Sequence, residues 1–173
     1  MQSPILAPAA ILVLWSMVVL VWVTVTRFAA ISRLPKDQLR TLSRAGTRGP
    51  DLERHLPESA NWKSHNYTHL MEQPTVFYAA VVILALASGG GGINTTLAWG
   101  YTALRILHSI WQGTVNKLPV RMFLFTASSL CLIALAINAV RATICAKGLT
   151  HTEPGSVASG IDRCARPQVD RVQ

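Results

Sequence analysis

The chain has 173 residues, of which 50% are hydrophobic and 14% charged, with a formal net charge of +8. A water-soluble domain usually carries about 25% charged residues, so this balance argues against one. Nor does the positive charge point to nucleic acid, because the Lys and Arg residues gather at the ends of long apolar runs, as they do beside membrane spans.

The first element is the charge-free run over residues 5–26. As a helix rising about 1.5 Å per residue it crosses roughly 30 Å of hydrocarbon, which gives a first span over residues 5–27. It does not read as a signal peptide, which would carry a basic segment before a shorter apolar stretch. Pro35 marks the exit. Residues 32–64 then form a polar connection holding Arg33, Lys36, Arg40, Arg44, Arg48, Arg54 and Lys63. Gly46, Gly49, Pro50 and Pro57 make it a loop, with room for one short surface helix.

The second span is expected over residues 66–88, with a local kink at Pro74. Four consecutive glycines, residues 89–92, make a tight turn, so the second and third spans are antiparallel neighbours. The third span covers residues 93–116. Leu118-Pro119 turns the chain into the fourth, over residues 121–143. Backbone polar groups in lipid must be satisfied internally, so all four runs should be helices. The expected fold is all-α: an integral membrane four-helix bundle over residues 1–145. The polar stretch 146–173, with Pro154 and Pro167, reads as a disordered tail.

Basic residues favour the cytoplasmic side. The 32–64 connection and the turn holding Lys117 and Arg121 are the basic ones, so both should face inward. That places both termini outside or in a lumen, in a bacterial inner membrane or the endoplasmic reticulum. Cys131, Cys145 and Cys164 are odd in number and scattered, which is no disulfide framework.

Ionisable groups within spans are costly and mark sites of interest. His65, His69 and Glu72 follow the spacing i, i+4, i+7 and share one stripe of the second span. Tyr101, Arg105 and His108 repeat that spacing in the third, and Asn94 and Gln112 extend the stripe. Depth counted along the two helices lets Glu72 and Arg105 meet. One reading is a buried ion pair that fixes helix register. Another is a polar cavity open to the cytoplasm, with Lys63, His65, Lys117 and Arg121 at its mouth. Such a cavity suits a small anion, Glu72 holding an amine and Arg105 a carboxylate. A third reading is a metal site of His65, His69 and Glu72, with His108 as fourth ligand. Trp62, Tyr67 and Tyr78 read as interface anchors.

Two stretches carry a family likeness. His69-Leu70-Met71-Glu72-Gln73-Pro74 is similar to an Asn-x-x-Glu followed by Pro. Leu104-Arg105-Ile106-Leu107-His108-Ser109-Ile110, running on to Pro119-Val120-Arg121, resembles the Ala-Arg-Ile-Tyr-His-Thr-Ile stretch of microsomal glutathione transferases. With four spans and a long basic first loop, the chain resembles the MAPEG family, the membrane-associated proteins of eicosanoid and glutathione metabolism. The likeness is to a bacterial-type or microsomal glutathione transferase-like member. It implies a homotrimer in the bilayer, with glutathione as thiol cosubstrate bound between neighbouring subunits. It implies that Glu72 meets the amino end of glutathione, that Arg105 lies near a carboxylate, and that Arg121 stabilises the thiolate. His65, His69 and His108 would complete the binding wall. The chain departs from the pattern in having His65 where the family has Arg, His69 where it has Asn, and Leu107 and Gln112 where it has Tyr. The implied function is a glutathione-dependent membrane transferase or peroxidase acting on apolar electrophiles. The alternatives are a non-enzymatic membrane protein with a structural polar seam, and a metal-binding bundle.

Overall fold

A computed structural model describes residues 3–42 and 49–150. Among these every regular element is a helix: α1 (Leu6–Ile31), α2 (Lys36–Leu42), α3 (Gly49–Glu53), α4 (Glu58–Leu86), α5 (Ile93–Thr114) and α6 (Leu118–Thr150). The central pair is α4 and α5, each packed against the other three long helices. Three segments are long and apolar enough to cross a membrane: α1, α4 and the Leu118–Ile144 part of α6.

Several boundaries differ from those expected. The loop does not reach residue 64, because α4 begins at Glu58. Pro57 has φ −62 and ψ 145, an extended conformation that stops any helix before it, and Glu58 then supplies an acid in the first turn. The 32–64 connection contains two short helices where one was expected, and its residues 43–48 lie outside the described ones. Helix α4 runs through Pro74 without a break. Helix α6 starts at Leu118, earlier than expected, because Pro119 in the first turn costs no intrahelical bond. It continues to Thr150, past the expected boundary at 145. The rest of the expected tail, including Cys164, lies outside the described residues.

Tight turns join the long helices. After α4 the chain reverses through Ser88 and Gly92, with φ of 58° and 54°, and Asn94 Nδ2 donates to the Gly89 carbonyl at 2.8 Å. After α5 it reverses at Asn116, with φ of 52°. Asn tolerates this left-handed conformation better than most residues.

The packing is inverted relative to a soluble protein. Large apolar side chains such as Leu14, Val21, Phe28 and Phe123 are exposed. The core combines Ile5, just ahead of α1, and Leu12 and Val19 of α1, which continue its seven-residue spacing, with Leu70, Phe77, Val81 and Leu84 of α4 and Leu135 of α6. The buried face of α5 is mostly polar: Tyr101, Thr102, Arg105, His108, Ser109 and Gln112. Helix α1 approaches α5 closely at Gly113, where a Cβ would stand 2.8 Å from the Trp22 ring. Beside that contact, Trp15 Nε1 and Asn66 Nδ2 donate to the Ser109 hydroxyl at 3.1 and 2.9 Å, which ties α1, α4 and α5 together.

Candidate functional site

The polar stripe of α5 faces α4, as the i, i+4, i+7 spacing requires. Where it meets α4 and α6 it encloses a cavity of about 310 Å³. His69, Glu72 and Gln73 line it from α4, Arg105 and His108 from α5, and Arg121, Met122 and Phe125 from α6. Five of the six residues that the resemblance assigns to the glutathione site therefore share one cavity. A cavity of about 340 Å³ lies against Thr26, Ala30, Pro57 and Ser59, but Arg33 is the one charged group on its wall. We place the site in the former, where the ionisable groups converge.

Arg105 is the centre of the arrangement. It is only 1% exposed, and its Nη2 donates to the His69 carbonyl at 2.7 Å. Its Nε and Nη1 are buried and make no well-formed hydrogen bond; the buried Tyr101 hydroxyl, one turn earlier on α5, interacts with the guanidinium and likewise makes none. Its guanidinium carbon lies 5.7 Å from the centre of the Phe125 ring, a cation–π distance. An uncompensated buried donor costs about 1–3 kcal/mol, more when charged. Two on one guanidinium, beside a cavity, are the feature expected of a site for an anion. Gln73 bridges α4 to α6, its Nε2 donating to Ser129 Oγ at 2.7 Å, and its Oε1 is buried and unpartnered.

The expected pairing of Glu72 with Arg105 is not formed. Glu72 lines the cavity but is exposed; its charge acts on Arg105 only at longer range, and among the described residues no ion pair joins the two. The reason is local: Arg105 turns to a backbone carbonyl one turn before Glu72. His65 does not join the cavity either. It is exposed, and its Nε2 lies 3.2 Å from Glu53 Oε2, clipping α4 to α3. Arg27 of α1 reaches the same carboxylate, Nη2 to Oε1, at 3.6 Å. This corrects the metal reading, which needs His65, His69, Glu72 and His108 around one ion. Among the described residues no three such side chains converge.

His69 is half-buried, and its Nδ1 lies 3.1 Å from Gln112 Oε1. Its ring centre is 6.4 Å from that of His108, which in turn is 6.1 Å from Phe125. Arg121 is held by the turn before it, its Nη1 donating to Asn116 Oδ1 at 2.9 Å. Sequence reasoning missed Asn66, Gln73, Ser109, Asn116 and Ser129 as organisers. Asn66 and Ser109 could have been found from the stripes, each standing one turn from a residue already singled out. Gln73, Asn116 and Ser129 carry no such signal. Tyr67 and Tyr78, expected at an interface, pack against the core.

A family model, that of the MAPEG family, matches residues 5–141 of the chain. No curated protein and no solved structure matches it.

Proposed function

The chain is a membrane protein of the MAPEG family, and from that premise we propose that it is a glutathione-dependent transferase or peroxidase acting on apolar electrophiles. The observation that carries the reading is Arg105, a cation buried in the polar stripe with two nitrogens unpartnered beside the cavity. A carboxylate of glutathione satisfies them. Arg121, at the cavity wall next to the turn, stabilises the thiolate. Glu72 meets the amino end.

In this reading the protein is a homotrimer of four-span subunits. Helix α5, at about 33 Å, is long enough to be the fourth span, and it turns its polar stripe away from lipid. The exposure of Glu72 favours a neighbouring subunit there, because an ionised carboxylate facing hydrocarbon is costly. The basic 32–64 connection faces the cytoplasm and both termini lie outside, so the soluble thiol enters from the cytoplasmic side and the electrophile from lipid.

The test is titration of detergent-solubilised protein with glutathione, followed by ultraviolet thiolate absorbance and by turnover of a chlorodinitrobenzene-type electrophile. Saturable thiolate formation at neutral pH is expected. A free thiol has a pKa of about 8.5 and is mostly protonated there. No saturable binding and no turnover would overturn the reading and favour a seam that only holds the helices together.

A further inference from the structure

Two side chains of the α5 stripe end on the same residue of α4. Arg105 and Gln112, seven positions apart, hold His69 at its carbonyl oxygen and at its ring nitrogen Nδ1, at 2.7 and 3.1 Å. A glutamine carbonyl oxygen only accepts, so the hydrogen of this second bond belongs to Nδ1. A neutral imidazole has one N–H, which leaves Nε2 with its lone pair. Gln112 is 1% exposed, so its amide is shielded from water. The imidazole is thus held in one tautomer, on the wall of a cavity that also holds Arg105 and Arg121.

We propose that His69 is the proton acceptor of this site, taking the thiol proton as glutathione becomes thiolate, and that Gln112 is the positioning residue that fixes its tautomer. The inference rests on the reading of the cavity as a glutathione site. The S–H bond breaks, the proton passes to Nε2, and the electron pair stays on sulfur. Imidazolium and thiolate result, with no oxidant or reductant required. Nε2 then passes the proton to water or buffer, which restores the neutral ring, and when sulfur bonds to the electrophile the leaving group departs as its own anion.

The charged and titratable groups on the cavity wall are Glu72 from α4, Arg105 and His108 from α5, and Arg121 from α6; none comes from α1. The labour divides accordingly. Arg121 governs how much thiolate is present at equilibrium, and His69 governs how fast the proton leaves. An Asn at this position, as in the related motif, has no site to take up a proton, so His69 adds a chemical capacity to the wall.

The experiment is stopped-flow mixing of detergent-solubilised full-length protein with glutathione across neutral pH, following thiolate absorbance. His69→Asn should slow thiolate appearance at least about tenfold, ~1.4 kcal/mol of barrier, and flatten its pH dependence. Its final amplitude at saturating glutathione should stay within about twofold of the parent. His69→Ala should be equally slow and recover rate when free imidazole is added, which a purely structural role would not allow. Gln112→Leu should fall between. Parental rates in His69→Asn, or no imidazole rescue of His69→Ala, overturn the assignment of His69 and leave the glutathione site standing. A parent protein that neither binds glutathione nor forms thiolate overturns both.

Discussion

Helices α4 and α6 share one interface whose two halves are built in opposite ways. The bond from Gln73 to Ser129 divides them. On one side lies the polar cavity of His69, Glu72, Arg105, His108 and Arg121. On the other lies an apolar groove of about 240 Å³, formed by Val76, Ala79, Ala80 and Ile83 against Ala136, Ala139, Val140 and Thr143. Residue numbers rise together on the two helices, so they run in the same direction, and only chemistry distinguishes the halves. In the groove, the Thr143 hydroxyl bonds back to its own helix at Ala139 and Val140, and no wall atom is orphaned. In the cavity, Arg105 and Gln73 keep buried atoms without partners. Folding alone would favour the first solution. The second persists at a cost of a few kcal/mol, which is reasonable where a ligand completes it.

The largest test of this contrast is Arg105→Met. Its loss should weaken glutathione binding about 100-fold, or ~2.7 kcal/mol, by titration calorimetry. Its effect on thermal stability should be small, because two buried unpartnered nitrogens leave together with the bond to the His69 carbonyl and the contact with the Phe125 ring. A large melting shift with unchanged affinity would make the polar half structural. Next comes Arg121→Lys, which keeps the charge and loses the planar donor fork. Turnover should drop about tenfold, ~1.4 kcal/mol, with affinity nearly retained. Unchanged turnover would reduce Arg121 to a flanking charge of α6.

Asn116→Gly is subtler. Gly accepts the left-handed backbone at this position, so the turn survives while Arg121 loses its acceptor. Turnover should fall about threefold, under 1 kcal/mol of barrier, with the melting temperature held. A fully retained rate would mean that Arg121 needs no positioning. The smallest effect belongs to the apolar half: Ala79→Val partly fills the groove and should leave thiolate amplitude within about twofold. A larger change would erase the distinction between the halves.

The elements of the fold were legible because charge-free runs and helical spacing are local properties. The α5 stripe was legible for the same reason, and the structure buries Tyr101, Arg105, His108 and Gln112 together. Spacing assigns a residue to a face; it does not name the partner across the gap. Glu72 and Arg105 were at compatible depths, yet Arg105 found a carbonyl, an acceptor present at every position and therefore invisible in any pattern. His65 sat on the expected stripe, but the path of the loop brought Glu53 to it first. Gln112 reads from the motif as a lost Tyr. Only the three-dimensional register shows it orienting His69. The boundary of α4 was missed because Pro57 was read as part of a loop and not as the residue that launches a helix.

The Ser109 hydroxyl accepts hydrogen bonds from Trp15 and Asn66. A hydroxyl oxygen has two lone pairs, and both are spoken for. Three helices thus converge on one small atom, and changing Ser109 to Ala would strand two donors on two different helices. In a library of random variants, position 109 should be among the least forgiving, tolerating little beyond Thr. Leu107, two residues earlier and exposed on the opposite side of α5, should accept almost any apolar residue. The tolerance map of this helix would then alternate with its turns, and a selection experiment would read out the three-helix junction without any measurement of structure.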